Sequence, residues 1–461
     1  MPQHDYNLIV IGAGSGGVRA ARLAAKTGAK VAITEQVQVG GTCVLRGCVP
    51  KKLLVYASEY SQAFRDAKGF GWTVDWARFD WATLRDSVQA EVNRLSGLYL
   101  ENLKNAGVEL FEDRAVLTDV NTVRLVREGR YLSADKILVA TGGHTYRPEE
   151  TPGHELGITS TDAFLLKDLP SRVVIAGGGF IACEFATIFS GLGVETTIVY
   201  RGERILRGFD HDVRFHVQSE LARSGVNIIC GSTIDQISPL PDDRKLVTLS
   251  NSMRIEADQV LWAVGRVPNT MNMGLEASGV RLTDRGAIAV DEYSRSSVPH
   301  ISAVGDVTDR VNLTPVAIRE AMAYVATEFL NTPTAFDHAD VASAVFSRPP
   351  VGAVGLTEER AREKGHKLKI YRSTFRPMKH ILAGNEQRTL MKMIVDVKTD
   401  QVLGVHIAGA DAPEIIQVAA VAVKAKLTKA QWDATCAVHP TAAEELVLMG
   451  EAVSHDNEAP A

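Results

Sequence analysis

Leu8-Ile9-Val10-Ile11-Gly12-Ala13-Gly14-Ser15-Gly16-Gly17 is an apolar run that breaks into glycines, and it decides the fold. Four apolar residues in a row predict a first buried strand. Glycines at 12, 14 and 17 predict a tight turn into a helix, where missing side chains let a pyrophosphate reach backbone N–H groups and the helix dipole favours negative charge. An Ala-rich helix from Val18 to Thr27 and a second strand from Lys30 to Thr34 follow, ending at Glu35. That carboxylate is placed to accept hydrogen bonds from ribose hydroxyls. A glycine turn alone says little, but strand, turn, helix, strand and acid together predict a dinucleotide-binding domain.

The plan repeats at Val173-Val174-Ile175-Ala176-Gly177-Gly178-Gly179-Phe180-Ile181-Ala182, with a helix to about Ser190 and a second strand from Glu195 to Tyr200. This copy lacks the acid. Arg201, Arg204 and Arg207 stand there instead, and guanidinium groups grip a 2′-phosphate that a carboxylate would repel, so NADPH is expected rather than NADH. The competing reading is a solvated arginine cluster. Ile137–Gly143 closes the first unit and Val260–Arg266 the second, so one dinucleotide domain is inserted into the other. Polar, Pro-containing links near Tyr146 to Gly153 and Asn331 to Thr334 mark boundaries, and the stretch after about Phe336 has no glycine turn.

At 461 residues, 45% hydrophobic and 23% charged, the chain has room for about three domains. A net charge of −5 with no long basic run gives no footprint for nucleic acid, and no apolar stretch approaches the roughly 18 residues of a membrane span. A small substrate is expected. Met1-Pro2-Gln3-His4-Asp5 lacks the basic start of a signal peptide, which predicts a cytoplasmic protein. Apolar spacing predicts a long helix between Trp81 and Gly107, with Leu84, Val88, Val92, Leu95, Leu98 and Leu103 packed on the first domain; the tail from Glu451 to Ala461 is expected to fray.

Five cysteines, at 43, 48, 183, 230 and 436, form no disulfide framework, and no second ligand pair exists for zinc, so no metal is expected. Gly40-Gly41-Thr42-Cys43-Val44-Leu45-Arg46-Gly47-Cys48-Val49-Pro50-Lys51-Lys52 holds two of them one to two helical turns apart. A bridge there constrains little and reads as redox-active, with Lys51 and a helix N-terminus favouring a thiolate. Cys183, Cys230 and Cys436 read as ordinary core or surface residues. In His439-Pro440-Thr441-Ala442-Ala443-Glu444-Glu445, Glu444 lies five residues beyond His439. A dithiol that must expel a thiolate needs such an acid–base pair.

Taken together with Ile301-Ser302-Ala303-Val304-Gly305-Asp306-Val307 and Leu313-Thr314-Pro315-Val316-Ala317, these motifs resemble the flavoprotein disulfide reductases, and among them the glutathione reductases of the plant and bacterial branch, in order and over nearly the whole chain. The resemblance implies an α/β fold of two Rossmann-like dinucleotide-binding domains, for FAD and NADPH, one inserted in the other, plus an α+β dimerisation domain. The implied spans are 1–145 and 266–335 for the two parts of the FAD domain, 146–265 for the NADPH domain and 336–461 for the dimer interface. Implied FAD contacts are Gly12, Gly14, Ser15, Gly16, Gly17, Glu35, Ala115 and Asp306, with Thr42 and Thr314 lining the flavin and Lys51 paired with Glu184 beside its ring. For NADPH they are Gly177, Gly178, Gly179, Ile181, Glu184, Arg201, Arg207 and Gly265. Phe180 stands where the family usually has a tyrosine lid.

Near relatives differ at a few positions. Lipoamide dehydrogenases carry an acid at the place of Arg201, and the trypanothione enzymes, whose substrate is cationic, carry an acid and a tryptophan at those of Arg19 and Arg22. An anionic disulfide is therefore implied here, with Ser15, Arg22 and Tyr99 as substrate contacts, although Met322 replaces an arginine of the animal-type enzymes. The implied reaction is reduction of glutathione disulfide by NADPH through FAD and the Cys43–Cys48 disulfide. Cys48 is implied to be the flavin-proximal thiolate and Cys43 the interchange thiol, and His439 with Glu444 comes from the partner subunit of a homodimer. The alternatives are a reductase of another low-molecular-weight disulfide and a redox module that binds both nucleotides without reducing one.

Overall fold

The computed structural model describes residues 4–456. The chain forms two compact units, one built from the residues up to Lys51 with Thr83–Tyr146 and Gly265–His338, the other from Lys52–Ala82, Arg147–Val264 and the residues from Ala339 on. Each contains a Rossmann-like sheet.

In the first unit Tyr6–Ile11 is a central strand of a seven-stranded sheet, parallel to Val31–Thr34 on one side and Tyr131–Val139 on the other, with Ile9 opposite both Ala32 and Ile137. A strand covered on both faces reads as continuous hydrophobic sequence, and Leu8, Ile9 and Val10 are all fully buried. The following helix, Ser15–Lys26, begins three residues earlier than its apolar spacing indicated, because Gly16 and Gly17 enter its first turn. There a Cβ on Gly17 would overlap the Gly12 carbonyl. Helix Trp81–Asn105 supplies Leu103 to the core beneath the sheet, with Tyr99 packed against it. Leu98, expected in that stripe, is instead 41% exposed.

The second unit repeats the arrangement. Arg172–Ala176 lies parallel between Glu195–Tyr200 and Gln259–Trp262 in a five-stranded sheet, with Ile175 opposite both Ile198 and Leu261. Its turn leads into helix Phe180–Gly191. A three-stranded meander, Ile234–Pro239, Lys245–Leu249 and Arg254–Ala257, precedes the closing strand. The residues after Ala339 form a six-stranded antiparallel sheet in which Thr389–Asp396 and Val402–Ala408 are buried along their whole length. Ile416, Ala419 and Val423 of helix Ala412–Lys424 join its core.

The expected frayed tail is corrected in part. Ser454–His455 pairs with Leu368–Phe375 as an edge strand, while Asn457 to Ala461 lie outside the described residues. Among the described residues no helix is long and apolar enough to cross a membrane, and no cluster of three or more His, Cys, Asp or Glu could hold a metal ion.

Candidate functional sites in the two units

In the first unit Gly14 caps helix Ser15–Lys26 without any side-chain hydrogen bond, so the N–H groups of the first turn face outward as an anion site. Glu35 is tied to that turn: its carboxylate accepts from the N–H of Ala13 and that of Val37, both at 3.0 Å. Beside it lies a cleft of about 290 Å³ lined by Gly12, Glu35, Arg114, Ala115, His144 and Asn269 among others. Arg114 donates to the carbonyl of Met271 at 3.0 Å, and Asn269 to that of Thr141 at 2.9 Å. Sequence reading missed Arg114, His144 and Asn269, of which His144 sits in the short strand Gly143–Thr145 and the other two in separate loops, with no motif around them.

Cys43 lies in helix Gly41–Arg46, Cys48 opens helix Cys48–Ala67, and Gly47 breaks the chain between them. The pair is therefore not on one continuous helix. The bend turns the thiols toward each other, and Cys43 donates a hydrogen bond to Cys48. That bond is the main cause holding the Cys48 thiol down at about 6; burial opposes it, while Thr314, whose hydroxyl is 3.9 Å from Cys48 Sγ, and the Lys51 ammonium assist. Cys43 is pushed up, first by donating to Cys48 and then by burial. At neutral pH the pair is one thiolate and one thiol, with Cys48 the anion.

Arg266, half-buried, donates to the hydroxyl of Thr42 at 3.4 Å and to the carbonyl of Gly143. Burial lowers its pKa, against the pull of Asp306 and Cys48, and burial likewise raises the Asp306 carboxyl against the pull of Arg266. The turn carrying Asp306 is held from behind by Glu320, 1% exposed, which accepts from the Gly305 N–H at 2.7 Å, Arg310 at 2.8 Å and His338 at 2.7 Å. Arg266 and Glu320 were also missed; the one available signal was that Arg266 directly follows the glycine ending a closing strand. Ser15 and Tyr99 are half-buried, Ala115 is buried and Arg19 is exposed. The Arg22 Nε is buried and, among the described residues, has no hydrogen-bond partner.

In the second unit Gly179 caps helix Phe180–Gly191, again without a side-chain bond. Gly178 backs onto Tyr200, whose ring a Cβ would meet at 2.5 Å. Arg201 and Arg207 are exposed, whereas Arg204 bonds His211 at 2.9 Å and stacks on Phe215. Phe180 is 48% exposed at the mouth of the turn and Ile181 is half-buried beside it. Glu184, 3% exposed, accepts from the Phe346 N–H at 3.0 Å. His439 projects into solvent with its Nδ1 3.0 Å from the Glu444 carboxylate, leaving Nε2 outermost. Cys183 is fully buried, Cys230 half-buried and Cys436 exposed. Lys51 and Gly265 belong to the first unit, and Glu184 and His439 to the second.

The description pyridine nucleotide-disulphide oxidoreductase matches residues 6–321, and the dimerisation domain of the same family matches residues 341–449. A glutathione reductase of Burkholderia cepacia is 49% identical over 450 residues, covering 97% of this chain and 99% of the relative. The chloroplastic/mitochondrial glutathione reductase of Pisum sativum is 46% identical over 458 residues, 97% of this chain and 82% of that one. A trypanothione reductase of Trypanosoma congolense is 40% identical over 469 residues, covering 96% of this chain and 95% of its own.

Proposed function

The chain belongs to the pyridine nucleotide-disulphide oxidoreductases, and from that premise we propose that it reduces glutathione disulfide to two glutathione at the expense of NADPH. The observation that carries the reading is the asymmetric Cys43–Cys48 pair, one acidic thiol hydrogen-bonded to one raised thiol, in a chain with two open glycine turns.

The first turn and its cleft offer groups that suit FAD, N–H groups for a pyrophosphate and the Glu35 carboxylate to accept from ribose hydroxyls, and we assign Asp306, Thr42 and Thr314 to the rest of the cofactor. Bound there, FAD supplies hydride chemistry between NADPH and the dithiol. We assign residues 1–145 and 266–335 to its domain, 146–265 to NADPH and 336–461 to the subunit interface. Arg201 and Arg207 bind the 2′-phosphate, Gly177, Gly178, Gly179, Ile181 and Gly265 the rest of the coenzyme, and Phe180 shields the nicotinamide. We assign both Lys51 and Glu184 to the surroundings of the flavin ring.

Reduction of the Cys43–Cys48 disulfide by a hydride equivalent leaves Cys43 as thiol and Cys48 as thiolate. His439 of the partner subunit, held through Nδ1 by Glu444, takes the Cys43 proton at Nε2. The Cys43 sulfur then attacks one sulfur of glutathione disulfide, forming a mixed disulfide and expelling a glutathione thiolate that the imidazolium protonates. Cys48 attacks the Cys43 sulfur, restores the protein disulfide and expels the second thiolate, which takes a proton from solvent. Ser15, Arg22 and Tyr99 hold the anionic substrate. The unpartnered Nε of Arg22 supports that role. A reducing cytoplasm is the setting in which the two thiols produced persist.

The test is NADPH oxidation by the purified yellow protein. Turnover with glutathione disulfide and little with a cationic glutathione conjugate is expected; the reverse preference would overturn the substrate assignment. His439→Gln should fold and dimerise yet lose about 10²–10⁴-fold in disulfide reduction. Subunit exchange with inactive Cys43→Ser should restore activity in one site of each heterodimer. Heterodimers without activity would place the acid within its own subunit.

A further inference from the structure

Lys392 interrupts the apolar interior of strand Thr389–Asp396, between Leu390-Met391 and Met393-Ile394-Val395, and its side chain is 1% exposed. A buried ammonium persists only when it is paired and hydrogen-bonded. Its Nζ donates to Asp210 at 3.0 Å, Asp212 at 2.8 Å and Glu358 at 2.7 Å, one carboxylate for each N–H. Burial would push its pKa down, and the carboxylates, Asp210 first, hold it above the ordinary value. Buried ionic clusters of this kind add little stability over an apolar core. What this one fixes is position.

The position it fixes is the start of helix His211–Arg223. Asp210 is the helix cap: it accepts from the Asp212 N–H at 3.0 Å and, through its other oxygen, from the Glu358 N–H at 3.1 Å. That helix supports the arginine loop after Tyr200. Arg214 donates to the carbonyls of Ile205 at 2.9 Å and Arg204 at 2.6 Å, and Gln218 accepts from the Ile205 N–H at 3.2 Å. Leu206, in the left-handed region at φ 54°, donates its N–H to the Gly178 carbonyl at 2.6 Å and so closes the loop onto the glycine turn. An unbroken run of contacts leads from Lys392 to the loop that carries Arg201 and Arg207.

We propose that Lys392 is a positioning residue for coenzyme selection: by clamping Asp210, Asp212 and Glu358 it holds helix His211–Arg223, and through it Arg201 and Arg207, at the spacing a 2′-phosphate requires. The inference rests on the reading that the second turn takes NADPH. Paired guanidinium contacts depend on geometry. A small displacement of the loop therefore weakens the phosphate contacts while leaving the adenosine and pyrophosphate contacts in place.

The experiment is calorimetric titration of the holoprotein with NADP⁺ and with NAD⁺, for wild type, Lys392→Met and the double variant Arg201→Met with Arg207→Met. Lys392→Met should lower the NADP⁺/NAD⁺ affinity ratio about tenfold with NAD⁺ affinity nearly unchanged. Should Lys392→Met fail to fold, Asp212→Asn decides, with a smaller fall in the same ratio. Wild type that discriminates, with an unchanged ratio in the folded variant, overturns the inference and leaves the NADPH reading standing, as does an equal loss for both nucleotides. Wild type that does not discriminate, or a double variant with an unchanged ratio, overturns the NADPH reading itself.

Discussion

The two glycine turns are nearly the same object: Gly14 has φ −80° and ψ −174°, Gly179 φ −82° and ψ −176°, each starts a 12-residue helix, and neither end is capped by a side chain. Two of the side-chain differences between them bear on the ligand. At the third position of the fingerprint the first turn has Gly17, whose added Cβ would overlap the Gly12 carbonyl, whereas the second accommodates Ala182, fully buried. At the end of the second strand the first has Glu35 bonded back to Ala13, and the second has exposed Arg201. In the proposed function, backbone shape serves the pyrophosphate in both turns, and the residue beyond the strand end, Glu35 or Arg201, is the one assigned to tell the ribose substituents apart.

Removing the arginines should break that difference most strongly. Arg201→Met with Arg207→Met forfeits two charge-assisted hydrogen bonds of about 1.5–3 kcal/mol each, so NADPH affinity should fall by about 10²–10⁴-fold and NADH affinity by only a few-fold. Equilibrium titration of the two coenzymes reads both numbers; an unchanged preference would place the phosphate site elsewhere.

A second contrast lies in the cysteines each unit presents. In the reduced protein alkylation of Cys48 should rise with pH through about 6, because a thiol whose pKa is lowered becomes thiolate earlier. Cys43→Ala removes the donor chiefly responsible, so the midpoint should move up toward the roughly 8.5 of a free cysteine. Cys183, behind the second turn, is fully buried with its thiol pushed up by that burial, and should not react in the native protein. Mass-spectrometric alkylation rates across about pH 4–10.5, roughly two units below the lower value and above the higher, separate the cases.

Smaller effects test the third fingerprint position. Gly17→Ala should cost about 1–3 kcal/mol by overpacking and lower the flavin content of the purified protein. Ala182→Gly, which only loosens a helix and deletes one buried methyl, should cost about 1–2 kcal/mol and leave flavin content alone. Urea unfolding with flavin absorbance reads both; equal behaviour of the two would show that the turns tolerate a Cβ alike.

Much of the site was legible because its parts are local in sequence. A strand, glycine turn, helix and strand-end acid occupy under thirty consecutive residues, from Leu8 to Glu35, and their chemistry is backbone chemistry. The dithiol and the His439–Glu444 pair are equally local, each spanning five positions. Arg266, Glu320 and Lys392 were illegible for the opposite reason. Arg266 meets Thr42 across 224 residues, and Lys392 meets Asp210 across 182. Leu98 shows the same limit in an apolar residue: it lies three positions beyond Leu95, yet Tyr99 and Leu103 take the core side of the helix and Leu98 is left exposed.

The sequence by itself determined the two glycine turns, the close cysteine pair and the contrast between an acid and an arginine after the second strands, since glycine spacing, thiol spacing and the sign of one strand-end charge act through neighbours a few residues away. The resemblance implied that Cys48 is the thiolate, and the tertiary structure supplied the physical cause, a bend at Gly47 that sets Cys43 to donate to Cys48, with Thr314 and Lys51 assisting against burial. Only the tertiary structure decided how the arginine loop is held, by a lysine that periodicity would have assigned to an apolar core. Electrostatic interactions reach through space and strengthen where water is excluded, so their strength is set by which distant residues the fold buries together.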